Sequence, residues 1–276
     1  VEKGIDVSRY QGWIDWPAVK AAGFTFAIVR AGYGRLASQQ DPEFARNCRQ
    51  AKAAGLALGC YWFSYAPDAA AAKAEAEACL AVLGKETFPL GVWFDQEYVA
   101  PILAASRARR TEAVQAFLAE MEKAGRTAGL YCSADWLKNR VYTAQLAGEN
   151  LWIAEYAAQC TSPLAPCLWQ HTSTGGVPGI RGNVDCDLLY RMPACPAEKS
   201  GAAAEANAPL CFGSTGPRVK LLQKQLEKLG FSVGSTDGIF GKKTRAAVKA
   251  FQRKASLAAD GIAGPKTCAA LAAACA

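Results

Sequence analysis

The stretch VWFDQEYV, residues 92–99, sets two carboxylates, Asp95 and Glu97, two positions apart behind an apolar run. In a strand, positions i and i+2 share a face. A strand over residues 90–94 therefore aims both acids to one side, into whatever opens at its tip. Seven further β-rich runs accompany it, at 4–7, 25–29, 56–63, 128–132, 151–154, 167–170 and 184–188. Helical stretches separate the first six of these eight strands. DWPAVKAAG offers Asp15 as a cap and Gly23 as a stop, and DPEFARNCRQAKAAG offers Asp41 as a cap, Pro42 in the first turn and Gly55 at the end. The alanine-rich stretches 68–84 and 106–125 each run to a terminal glycine.

Strand–helix alternation over about 190 residues predicts an α/β fold, a (β/α) barrel. The connections after strand five are too short for complete helices, so the last side of the barrel should be irregular. An open doubly wound sheet is the alternative. GYGR after the second run, however, is not the glycine-rich phosphate turn of such sheets.

In a (β/α) barrel the functional side chains come from the C-terminal ends of the strands. On that map Asp6 ends strand one and Arg30 strand two, Tyr61, Phe63 and Tyr65 follow from strand three, and Asp95 and Glu97 from strand four. Tyr131, Trp152 with Glu155, Gln170 and Asp185 follow from strands five to eight. Asp187 falls below the rim and reads as structural. Carboxylates clustered among aromatic rings suit glycoside hydrolysis, where one acid protonates the leaving oxygen and another charge stabilises an oxocarbenium-like centre. Crowding keeps one acid protonated near neutral pH. Magnesium binding is the rival use of such a cluster, and no phosphate-cradling loop accompanies it.

The length fits one large domain and a small one, or two ordinary domains. The chain has 276 residues, about half of them hydrophobic, with a mean hydropathy of +0.01. No apolar run reaches the ~18 residues of a membrane helix, and VEKGIDVSRY lacks the basic start and apolar stretch of a signal peptide. The formal charge of +7 is uneven: residues 209–276 carry 11 Lys or Arg against 3 Asp or Glu, and the preceding 208 carry 20 against 21. The tail therefore expects a polyanionic partner, nucleic acid or an anionic wall. A single histidine, His171, gives no support to a zinc site with several His ligands. Residues 193–209, PACPAEKSGAAAEANAP, read as a linker. Beyond it an internal repeat emerges: VKLLQKQL from Val219 matches VKAFQRKA from Val248, and DGIFGKKT from Asp237 matches DGIAGPKT from Asp260. Two helix-plus-turn units should pack on Leu222, Leu226, Ala247 and Phe251 as a small all-α domain.

The motifs GIDVSRYQGWIDWPAVKAAGFTFAIVRAGYG, DPEFARNCRQAKAAGLALGCYWFSYA, VWFDQE and NVDCDLLY, in that order, resemble the glycoside hydrolase family 25 lysozymes of the Chalaropsis type. The tail resembles peptidoglycan-binding domain 1. The resemblance implies an irregular (β/α)5β3 TIM-like barrel over residues 1–192 and a wall-binding helical domain over 210–276. It implies an N-acetylmuramidase cutting the β-1,4 bond between N-acetylmuramic acid and N-acetylglucosamine of bacterial peptidoglycan. Glu97 matches the family's proton donor, Asp95 its second catalytic acid, and Asp6 and Asp185 the flanking acids. Tyr61, Phe63, Arg30, Tyr131, Trp152, Glu155 and Gln170 are the expected substrate contacts. No cofactor and no metal are expected. The expected partners are peptidoglycan and, through the basic tail, anionic wall polymers. Neither nucleic acid nor a membrane is expected, and the chain should be a monomer acting outside the cell or in the wall, secreted or released as a phage lysin. A catalytically inactive wall-binding protein is the alternative.

Eleven cysteines is an odd number. The spacing of Cys160 and Cys167 permits a disulfide, Cys211 and Cys268 could clip the tail repeat, and Cys60, Cys132 and Cys186 should be buried thiols within apolar strands.

Overall fold

The computed structural model describes residues 1–195 and, beyond them, 210, 214, 217–255, 257, 259–264, 267–268, 270–271 and 274. The chain divides into two compact units, Val1–Pro196 and Ala197–Ala276. In the first, eight strands close a barrel in sequence order: β1 Glu2–Val7, β2 Phe26–Tyr33, β3 Ala57–Phe63, β4 Val92–Asp95, β5 Ala128–Ser133, β6 Asn150–Ala154, β7 Leu168–Gly175 and β8 Val184–Leu189. Strands β1 to β7 run parallel, whereas β8 runs antiparallel to both of its neighbours. This bears on the site. A short hairpin joins β7 to β8, so β8 meets the functional rim with its first residues, not its last. Asp185 stands there beside Asp6 in register, and Asp187 lies two residues deeper, opposite Gln170.

The helices are α1 Trp16–Ala21, α2 Phe44–Ala53, α3 Ala69–Leu83, α4 Ala100–Leu103, α5 Arg107–Lys123 and α6 Ala134–Asn139. Side-chain oxygens of Asp15, Asp68, Ser106 and Ser133 accept from backbone N–H groups three residues on, and each fixes where its helix begins. Asp41 does not cap α2 as expected. That helix starts after Glu43, and the Asp41 carboxylate turns instead to Arg30. After β6 no helix forms among the described residues before β8, which is the irregular side anticipated from the short connections.

Alternation along each strand builds two cores. Outward residues pack under the helices; Phe94, for instance, stacks on Phe117 of α5 at 4.4 Å between ring centroids. Inward residues, among them Phe26, Ile28, Trp93, Tyr131, Trp152 and Leu168, fill the barrel below the rim. Room for these rings comes from inward glycines: a Cβ on Gly4 would collide with the Phe26 ring, and one on Gly129 with the Trp93 ring and the Asn150 carbonyl. Below, Asn150 ties down the chain after β8. Its Nδ2 donates to Ala194 O at 2.9 Å and its Oδ1 accepts from Ala194 N at 2.8 Å. Residues 193–195, read from sequence as the start of a linker, are thus part of the barrel's floor.

The second unit contains α7 Pro217–Lys228 and α8 Lys242–Lys254. Leu222, Leu226, Ala247 and Phe251 are buried together with Val219, Val248 and Phe240. The repeat has a structural cause. Gln223 Nε2 donates to Asp237 Oδ1, Ile239 O and Thr244 Oγ1, each at 3.1 Å, and its Oε1 accepts from Gly238 N at 2.8 Å. Gln252 makes the same set with Asp260, Ile262, Thr267 and Gly261. One amide from each helix thus fastens one DGI turn.

Cys160 is a free thiol, so the Cys160–Cys167 disulfide does not form; the Cys167 sulfur instead donates to Asn150 Oδ1 at 3.6 Å. Cys60, Cys132 and Cys186 are buried thiols in strands. The Cys211 half of the proposed tail clip lies outside the described residues.

Candidate active site

Strand β4 ends at Asp95, whose carboxylate continues the inward row begun by Trp93. Gln96 turns the other way: its Oε1 accepts from Trp136 Nε1 at 2.9 Å and its Nε2 donates to Arg110 O at 3.3 Å. The Arg110 guanidinium in turn donates to the carbonyls of Ile102, Leu103, Ala105 and Arg140. The turn that carries Glu97 is therefore held from behind, and Glu97 returns to the side of Asp95. Both line a cavity of about 260 Å³ at the rim, together with Asp6 and Asp185.

Asp6 and Asp95 are almost fully buried, while Glu97 and Asp185 are half-buried. Burial pushes the Asp6 carboxyl well above the usual carboxylate range, and the charges of Asp187 and Asp185 push it further. Asp95 is raised by burial and then by the Glu97 charge, with Arg30 pulling it back. Glu97 is raised by burial and by Asp185, with the neighbouring Tyr131 hydroxyl pulling it back. Asp185 is raised by burial. Among the described residues the one cation lining this cavity, Arg30, is already paired with Asp41, Nε to Oδ2 at 2.7 Å. So many acids facing one compensated cation oppose one another's ionisation, and the cluster holds its protons to higher pH than isolated carboxylates would. Asp95 Oδ1 is buried with no hydrogen-bond partner among the described residues.

Hydrogen bonds fix the floor. Gln170 Nε2 donates to Asp6 Oδ2 at 2.8 Å, and Gln170 Oε1 accepts from the hydroxyls of Tyr131 at 2.9 Å and Tyr156 at 3.0 Å. Below it Trp152 Nε1 donates to Asp187 Oδ1 at 2.7 Å. Tyr61 and Phe63 complete the aromatic wall.

Of the residues anticipated from sequence, Asp6, Arg30, Tyr61, Phe63, Asp95, Glu97, Tyr131, Trp152, Gln170 and Asp185 meet in this cavity. Glu155 does not line it. β6 ends at Ala154, and the Glu155 carboxylate turns back onto its own loop, accepting from Thr161 N and Thr161 Oγ1 at 2.6 Å each. Those two bonds hold it below the usual glutamate range. Its neighbour Tyr156 takes the place in the cavity. Tyr65 lies outside it, against α3. Arg30 pairs with Asp41, and not with Asp185, because Asp41 also accepts from Arg9 N and Glu43 N and is thereby fixed beside the guanidinium. Sequence reasoning missed Ser8, Tyr10 and Gln11, which line the cavity from the turn after β1. Their only signal was their place directly after Asp6 in the DVSRYQGW motif.

Residues 5–180 match the family described as Glycosyl hydrolases family 25, and residues 215–271 match a putative peptidoglycan binding domain. Lysozyme M1 of Streptomyces globisporus is 30% identical over 200 residues, covering 66% of this chain and 66% of that protein. The autolytic lysozyme of Clostridium acetobutylicum is 27% identical over 252 residues, covering 91% of this chain and 72% of that protein. Among solved structures, a bacterial lysozyme from Streptomyces coelicolor superposes with a TM-score of 0.60 at 26% identity, covering 74% of this chain and 97% of that one.

Proposed function

The chain belongs to glycosyl hydrolase family 25, and from that membership we propose that its barrel cleaves the β-1,4 bond between N-acetylmuramic acid and N-acetylglucosamine in bacterial peptidoglycan. The observation that carries this reading is the meeting of Asp6, Asp95, Glu97 and Asp185 in one aromatic-walled cavity. Glu97 is the proton donor. It is half-buried, so a leaving oxygen can reach it, and burial and the Asp185 charge raise its carboxyl above the usual glutamate range, as a proton donor needs. Asp95, deeper and with an unpartnered oxygen, stabilises the positive charge that develops at the anomeric centre. Asp6 and Asp185 flank the base of the site, and Gln170 orients Asp6.

The tail unit holds the enzyme on its substrate. Its match to a peptidoglycan binding domain supports this, and its excess of eight positive charges over residues 209–276 adds attraction to anionic wall polymers. The site of action is the bacterial wall.

Glu97→Gln tests the assignment. The amide keeps the shape but has no acidic proton to give, and general acid catalysis contributes about 10²–10⁴ in rate. Release of reducing ends from purified peptidoglycan should fall by about that factor, with wall binding retained. Near-normal turnover by this variant would remove Glu97 from its role. No release by the unmutated chain would leave a wall-binding protein without activity.

A further inference from the structure

The turn after β1 reaches beyond the catalytic cavity. Gln11 lines that cavity and also a neighbouring groove of about 620 Å³, walled by Gly12, Trp13 and Asp15 on one side and by Gly179, Ile180 and Arg181 of the β7–β8 hairpin on the other. Within this turn Ile14 and Trp16 are 2% and 1% exposed, whereas Trp13 is 66% exposed. The fold buries the tryptophan on one side of Ile14 and leaves the other in water.

The groove is built rigidly. Asp15 N donates to Gly179 O at 2.9 Å, which fastens the two loops to each other. Gly179 has φ +93°, and a Cβ there would collide with the Asp15 carbonyl, so only glycine lets the hairpin come this close. Arg46 Nη2 donates to Gly12 O at 2.6 Å and fixes the peptide before Trp13. The Asp15 carboxylate is held by Ala18 N. An indole kept in water on a pinned loop adds nothing to the core. It offers a flat apolar face beside the cationic side chain of Arg181.

A pyranose ring matches such a surface, with one face of C–H groups for the indole and equatorial oxygens for a guanidinium. Gln11 borders both the groove and the cavity of the carboxylates, so a single extended glycan can pass over it and occupy both. We propose that Trp13 and Arg181 form a distal carbohydrate subsite that binds a sugar of the same glycan strand beyond those held at Asp95 and Glu97. The inference rests on the muramidase reading. Remote binding of this kind lowers KM for long strands, and its benefit vanishes for substrates too short to reach it.

The test compares Trp13→Ala, Arg181→Ala and Trp13→Phe in the full chain on long uncross-linked glycan strands and on the shortest soluble oligosaccharide that is cleaved. Trp13→Ala should lower kcat/KM on long strands by about tenfold, through KM. Arg181→Ala should lower it less and Trp13→Phe hardly at all, and the short substrate should not respond. In the Glu97→Gln background, titration with a long oligosaccharide should show the same weakening on Trp13→Ala. Equal losses on long and short substrates would place the effect in the catalytic cavity and overturn the subsite. So would unchanged kinetics on long strands. A dimer of the unmutated chain that Trp13→Ala dissolves would give this face to a second copy and also overturn it. If the unmutated chain cleaves nothing, it is the muramidase reading that fails, and the Glu97→Gln titration still reports on the groove.

Discussion

Asp187 sits beneath the acids of the cavity with one oxygen satisfied by the Trp152 indole and the other buried near Asp6 with no hydrogen-bond donor among the described residues. Two carboxylates in that position would set acceptor against acceptor, so the pair is stable only while it holds a proton. Burial, partly offset by the Trp152 hydrogen bond, pushes Asp187 up to about 8. A carboxyl whose folded value lies above its unfolded value stabilises the fold fully below the unfolded value of about 4, and that contribution is lost as pH rises through the folded value. Asp6, Asp95, Glu97 and Asp185 are all raised and act in the same sense. The barrel should therefore lose thermal stability from pH 5 to pH 8. Asp187→Asn keeps an acceptor for Trp152 and supplies a donor to Asp6 without a charge, so its Tm should fall less over that interval. Parallel Tm curves for the two proteins would show that Asp187 does not take part in the titration.

At the scale of elements, the tail repeat resolves into two copies of one hydrogen-bonded device. Its recurrent Gln, Asp, Gly and Thr are the members of each network, and its recurrent Val and Leu or Phe are the core beside it. Gln252→Glu preserves size but removes both donors and sets a carboxylate against Asp260 and the Ile262 carbonyl. Loss of these bonds with buried groups left unpaired should cost about 2–4 kcal/mol. Calorimetry should show the tail's unfolding transition lowered at pH 7 and partly restored toward pH 4, with the barrel's transition unmoved. A tail transition at its original temperature would mean that the network is not what holds the DGI turn.

Across the whole molecule, the division of labour can be tested by removing residues 197–276. The cut has to spare residues 193–195, since both Ala194 backbone groups bond to Asn150 under the barrel. Small soluble glycan fragments need no anchoring, so their cleavage should survive within about twofold. Binding to intact walls should weaken as effective concentration is lost. The deficit should be larger at low salt, because the Debye length grows from about 8 Å at physiological ionic strength to about 30 Å at 0.01 M, where the basic tail attracts most strongly. An equal loss on fragments and walls would show that the tail is needed by the catalytic fold itself.

The sequence by itself determined the eight strands, which of their residues point inward, and the carboxylates at their tips. A two-residue alternation of side chains and an apolar run are local properties, and they survive in any surroundings that bury one face. It also determined the two-fold repeat of the tail. Tertiary structure decided which groups meet. Arg30 takes Asp41, 11 positions away, because Arg9 and Glu43 hold that carboxylate in place. Glu155 yields its place in the cavity to Tyr156 because Thr161 draws its carboxylate back onto its own loop. Asp185 reaches the rim from the start of its strand because β8 closes the barrel antiparallel. Each outcome depends on partners brought together by barrel closure, and a pattern of neighbours along the chain carries no record of them.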